Sequence, residues 1–201
     1  MKTAFVYSMA FLLSALCSNG LAATATPTVY KMTMKKVEAS SNGGTSYITI
    51  GEGDQTINVA SVSAGAKAAD YIKAVSLPDG FYNRMRVTIS NVFTLQGNLT
   101  QDAGLNNGVN FCTDDDGTPS SGACTPEEQN FSITSDTGFP AGMTLDVGAG
   151  TITVIDTGNS FTIDSTTSKK FRIAFDVANS LVIEANDTMH PGGITVTISE
   201  V

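Results

Sequence analysis

The 201-residue sequence has no Trp, a single His, and only 11 Lys and Arg against 19 Asp and Glu. Each shortage removes a class of function. A formal charge of −8 leaves no basic surface for a phosphate backbone or an anionic lipid, so nucleic acid is excluded as a partner. The lone His190 lies in Met189-His190-Pro191-Gly192, without a second His or a nucleophile motif, and reads as a surface turn residue rather than part of a catalytic triad or metal site. The absence of Trp takes away the broad stacking platform common in sugar-binding sites, a role left to Tyr. Charged residues reach 15%, below the roughly 25% of an ordinary soluble domain. What is abundant instead is Thr (26), Ser (19) and Gly (19), a composition of strands and turns, with 41% apolar residues to build a core. The one helical candidate is the short Ala-rich run 64–69.

Long apolar runs are also scarce. The run Ala4 to Cys17 follows Met1-Lys2 and leads into Ser18-Asn19-Gly20-Leu21-Ala22-Ala23, which is the positive start, apolar stretch and small-residue cut of a secretory signal peptide. Residues 1–22 are expected to be removed, with the cut after Ala22 or Ala23, leaving one domain over residues 23–201. A transmembrane helix needs about 20 apolar residues, and Ser14, Ser18 and Asn19 interrupt this one, so no integral membrane span is expected. Cys17 raises lipid attachment as the alternative, but Leu16 stands before it where a small residue is usual. The exported chain keeps 10 basic and 19 acidic residues, a charge of −9, and two cysteines, Cys112 and Cys124. Such a pair in a secreted chain is expected to form a disulfide, since two thiolates fall short of the four ligands of structural zinc. The location that follows is secreted or cell-surface.

Period-two alternation runs through the remainder. Phe171, Ile173, Phe175 and Val177 alternate with less apolar residues, as do Met85, Val87 and Ile89, and Ile194, Val196 and Ile198. Shorter runs of the same kind are 30–37, 47–50, 57–62, 71–77, 143–147, 152–155 and 161–163, separated by Asn42-Gly43-Gly44, Pro78-Asp79-Gly80, Gly148-Ala149-Gly150, Gly158-Asn159 and Pro191-Gly192-Gly193. Nine or ten such strands predict an all-β antiparallel sandwich of immunoglobulin or prealbumin type. Residues 97–130 break the rhythm and are expected to be a long excursion closed by the disulfide, either a functional loop or a mobile one.

No Lys or Arg occurs from Val87 to Ser168, a stretch of 82 residues with ten Asp and Glu. Within it, Asp114-Asp115-Asp116-Gly117 is the sharpest local feature. Clustered carboxylates beside a Gly suit Ca²⁺, which takes six to eight oxygens, although the spacing is not that of an EF-hand. The alternative is a solvated acidic loop tip. The basic residues Lys31, Lys35, Lys36, Arg84, Arg86, Lys169, Lys170 and Arg172 lie elsewhere, and a charge-polarised surface of that kind can order subunits head to tail. Tyr30, Met32 and Met34 alternate directly after the small polar linker 24–28, so this first strand is a candidate for donation to a neighbour's sheet edge; pairing within its own sheet is the alternative.

In Leu77-Pro78-Asp79-Gly80-Phe81-Tyr82 a turn feeds a strand whose early Tyr is placed to bond back to the turn, as in a tyrosine corner. The segment from Leu77 to Val87, the later Phe171-Arg172-Ile173-Ala174-Phe175-Asp176-Val177-Ala178-Asn179-Ser180-Leu181-Val182, and the closing Pro191-Gly192-Gly193-Ile194-Thr195-Val196 resemble elements of a widespread family. It consists of exported bacterial β-sandwich domains, often lipoproteins, known only as a domain of unknown function. The resemblance implies a prealbumin-like sandwich and an envelope location, and brings no catalytic residues with it. The cysteine-bounded insertion departs from the family pattern. With no catalytic constellation, the expected function is a non-enzymatic structural or adhesive role at the cell surface or in the extracellular matrix, with self-association through terminal strands into a filament. The alternative is a module binding Ca²⁺ or a glycan through the acidic loop; no other cofactor is expected.

Overall fold

The computed structural model describes residues 6–11, 23–61, 77–100, 109–136, 142–156, 160–164, 171–184 and 187–200. All regular structure in them is β, apart from one turn of 3-10 helix at Val59–Ser61, and every strand pairing is antiparallel. The expected helix at 64–69 and most of the expected strand at 71–77 fall outside the described residues, as does Cys17.

The largest sheet has six strands. Its centre is β3 (Val29–Ser40), flanked by β4 (Ile48–Asn58) and β6 (Arg84–Gln96). The far edge of β6 is shared by two strands: β12 (Thr151–Asp156) covers Met85 to Ser90 and β10 (Gln129–Ser132) covers Val92 to Leu95. Asn91 is the seam. Its side-chain amide donates to the Ile133 carbonyl at 2.9 Å and its backbone amide to the Gly150 carbonyl at 3.0 Å, while its own carbonyl accepts from the Ile133 amide at 2.9 Å. β11 (Met143–Asp146) extends the sheet beyond β12.

Four small sheets account for the remaining strands among the described residues. β5 (Gly80–Tyr82) pairs with β13 (Phe161–Ile163). β2 (Ala23–Ala25) and β16 (Met189–Pro191) flank β15 (Leu181–Ile183). β7 (Asn98–Thr100), β8 (Asn110–Cys112) and β9 (Ser120–Ser121) form a third. In the fourth, β17 (Ile194–Glu200) lies between β14 (Phe171–Asp176) and β1 (Val6–Phe11).

One core joins the large sheet to the smaller ones, in the manner of a sandwich. Tyr30, Met32, Met34 and Val37 from β3, Ile89, Phe93 and Leu95 from β6 and Ile152 and Val154 from β12 share it with Leu99, Phe111, Leu181, Ile183 and Met189. The alternation visible in the sequence builds much of it: Tyr30, Met32 and Met34 in the first half of β3, and Ile89, Asn91, Phe93 and Leu95 in the second half of β6, bury every second side chain. Tyr30 is fully enclosed and meets Phe93 edge to face at 5.9 Å, and burial pushes its phenol pKa up.

Three expectations change here. The expected strands 47–50 and 57–62 share one continuous strand, Ile48–Asn58, that runs into the 3-10 turn Val59–Ser61; Val62 lies outside the described residues. Residues 97–130 are not a bare loop: β7, β8 and β9 lie within them and β10 begins there, each too short to display a period. The strand carrying Tyr30, Met32 and Met34 is paired on both edges inside its own sheet, with those side chains in the core, so it is not free to be donated. The tyrosine corner is present: the Tyr82 hydroxyl donates to the Pro78 carbonyl at 2.9 Å, and the ring stacks on Phe161 at 5.3 Å.

Candidate functional site

The Cys112–Cys124 disulfide is formed, and it draws the residues after each cysteine side by side. Thr113, fully buried, stitches them together. Its hydroxyl donates to the Glu127 carbonyl at 2.5 Å and accepts from the Gly97 amide at 3.1 Å, and its backbone pairs with Gly97 and Glu127 at 3.0 and 2.9 Å. Gln129, also buried, accepts the Asp114 amide at 3.2 Å, and Gln96 donates to the Pro126 carbonyl at 2.8 Å. Buried polar groups are costly unless bonded; here the bonds of Gln96 and Gly97 tie the loop to the end of β6, and those to Glu127 and Gln129 tie its two halves together.

On this platform the carboxylates of Asp114, Asp115 and Glu127 converge, with one oxygen of each within 4.8 Å of the others. Asp116 belongs instead to the turn, where its Oδ1 accepts the Thr118 amide at 2.8 Å. The expected triplet is therefore replaced by a trio that spans the disulfide. Glu127 was the member missed, although its place just after Cys124 was the signal: closing the disulfide sets it beside Asp114. Asp114 itself is already engaged, accepting from the Ser120 hydroxyl and from the Asp116 amide at 3.4 Å. The Ser120 hydroxyl, and next the Asp116 amide, hold its carboxyl below the usual Asp range. Such a carboxylate is ionised well into acid and serves as turn organiser first; oxygen donors of this kind match a hard divalent cation.

Four of the described basic residues, Lys31, Lys35, Lys36 and Arg86, are held in ion pairs. Lys31 Nζ contacts both Glu128 oxygens at 2.6 Å, Lys35 pairs with Asp54 at 3.1 Å, and Lys36 and Arg86 converge on Glu38 at 3.1 and 2.7 Å. Glu38 is almost fully enclosed. Burial pushes its pKa up, but the hydrogen bonds from Arg86 and Lys36 outweigh burial and hold it below the usual Glu range. Arg86 lies over the Tyr47 ring, 3.9 Å from its centroid, a cation–π contact that covers the ion pair. The positive charges of β3 and of Arg86 are thus matched by carboxylates close to them.

His190 is partly buried in β16 rather than in a turn. Its Nε2 lies 3.1 Å from Glu184 Oε1 and its Nδ1 lies 3.0 Å from the Pro191 carbonyl.

These features define an all-β domain of antiparallel sheets carrying a disulfide-closed acidic loop. The chain belongs to the family described as a domain of unknown function (DUF4382), which matches residues 23–190. No curated protein and no solved structure matches it. The matched span begins where the expected leader ends and takes in both the tyrosine corner and the acidic loop.

Proposed function

We propose that the protein is exported, loses residues 1–22 and acts as a non-enzymatic structural or adhesive domain at the cell surface or in the extracellular matrix. The Cys112–Cys124 disulfide carries this reading, because such bonds form and persist in oxidising compartments outside the cytosol. The leader-like start and the absence of a helix long and apolar enough to cross a membrane among the described residues agree with it. Fractionation of the producing cell with mass analysis of the intact protein tests the proposal. The expected product starts at Ala23 or Thr24, lies outside the cytosol and has no free thiol. A full-length cytosolic chain with reduced Cys112 and Cys124 would overturn it. Negative-stain microscopy of the same material tests assembly into filaments.

A second reading takes the loop as a weak divalent-cation or glycan site, favoured by the convergence of Asp114, Asp115 and Glu127. Calorimetry with Ca²⁺ decides the cation part. Heat that is lost in Asp115→Asn/Glu127→Gln but kept in Asp116→Asn supports it, and no heat from the parent protein at millimolar Ca²⁺ removes it.

A further inference from the structure

The C-terminal strand β17 has neighbours on both edges: β14 on one and β1 on the other. β1 comprises residues 6–11 and so lies within the leader that export would remove. What remains is a seven-residue strand with β14 paired on one side and, among the described residues, no strand on the other. Natural edge strands discourage intermolecular pairing with Pro, Lys, inward charges, bulges or short length. Ile194-Thr195-Val196-Thr197-Ile198-Ser199 has no Pro and no charge, and Glu200 comes only at its end. The edge strand β4, by contrast, carries Glu52 and Asp54 in mid-strand and makes irregular pairings with β3, and the edge strand β11 is four residues long. Both of these edges have protection that β17 lacks.

We propose that in the exported protein this edge is covered by the same strand of a second copy, antiparallel, about a twofold axis at Val196. The proposal rests on removal of the leader. It commits to a second copy because the strand is complementary to itself. In that register Ile194 faces Ile198 of the partner copy, Val196 faces its own equivalent, and Thr195 faces Thr197. Aliphatic positions thus stand opposite aliphatic positions and hydroxyl-bearing positions opposite hydroxyl-bearing ones, and both kinds of cross-strand pair are favourable. The two Glu200 residues fall at opposite ends of the joint, so the only charges do not meet. A slip of one residue sets every Ile and Val against Thr or Ser, which disfavours the alternative register. β1 occupies the edge with the same matching, since Tyr7, Met9 and Phe11 stand opposite Ile198, Val196 and Ile194, and Ser8 stands opposite Thr197. The leader thus caps the edge in the precursor, and its removal joins two three-strand sheets, each short of β1, into one of the order β14–β17–β17–β14. A twofold joint of this kind closes on itself and yields a dimer rather than a filament.

The test is to express the full chain in an exporting host, measure the intact mass of the exported protein and determine its oligomeric state by sedimentation. Two variants probe the joint. Thr195→Lys/Thr197→Lys sets like charges against each other across the axis, whereas Thr195→Lys/Thr197→Glu sets opposite charges there. The expected result is a processed dimer, weakened roughly tenfold or more by the first pair of substitutions and restored by the second, with circular dichroism unchanged in both. A processed protein that is monomeric at high concentration overturns the dimer and leaves export standing. A dimer indifferent to both variants also overturns it, because another surface then joins the copies. Retention of residues 1–22 overturns the export reading and the dimer together, since the edge then stays capped.

Discussion

The large sheet and the disulfide loop keep their shape by different means. In the sheet, long strands bury alternate side chains, and Leu95, Val37 and Ile152 have no exposed surface. In residues 97–130 the strands are two to four residues long, and order comes from the disulfide, from the hydroxyl of Thr113 and from carboxylates that accept loop amides. Their charges follow the same division. Glu38 in the sheet is enclosed and ionised because two cations hold it, whereas Asp114 in the loop is held by a hydroxyl and an amide. A strand of ten residues can rely on apolar area; one of three has to be fastened at its ends.

The comparison can be broken first in the sheet. Leu95→Ala leaves a cavity beside Tyr30 and is expected to cost about 3–4 kcal/mol of global stability, read from urea unfolding. Cys112→Ser/Cys124→Ser is expected to cost about 3 kcal/mol or less, through the entropy of the short closed loop. It should act locally: hydrogen exchange should quicken in residues 109–132 before it does in β3 and β6. If exchange quickens equally in both regions, the loop and the sheet are one cooperative unit.

Arg86→Met leaves the enclosed Glu38 carboxylate with Lys36 alone and is expected to cost about 2 kcal/mol at neutral pH, less than for a fully buried pair because Arg86 is part-exposed. The pH dependence gives the sign. The folded-state pKa of Glu38 is lowered, so its contribution is present above the unfolded Glu value of about 4.3 and is lost as pH falls through the folded value. Glu38→Gln should flatten that acid limb of the stability curve. The smallest effect is that of Tyr82→Phe, about 1 kcal/mol for the lost bond to Pro78, with the ring stack on Phe161 retained.

The same division explains what could be read in the sequence. The strands carrying Met85, Val87 and Ile89 or Tyr30, Met32 and Met34 announce themselves because period-two alternation is the physical cause of their burial. The disulfide and the tyrosine corner were legible because each rests on local chemistry: two thiols in a chain whose start reads as a leader, and a Tyr a few residues beyond a Pro turn. β8, β9 and β10 were not legible, since two to four residues cannot establish a period. The acidic trio was only half legible. Asp114 and Asp115 are adjacent in sequence, while Glu127 joins them through the disulfide, a contact no run of residues displays. Nor does a period reveal that the lysines of β3 are committed to Glu128, Asp54 and Glu38, because those partners lie 97 and 19 residues away or on the same strand.

Asn91 divides one edge of β6 between β10, which leads out of the acidic loop, and β12. The two neighbours, β10 and β12, are therefore indexed to a single residue, like two rulers sharing a zero mark. Any shift of β6 along its axis would carry both with it, so the acidic loop reports the register of the whole sheet even though almost none of its own residues lie in it. A probe in that loop would sense rearrangement of the core before any core residue became exposed.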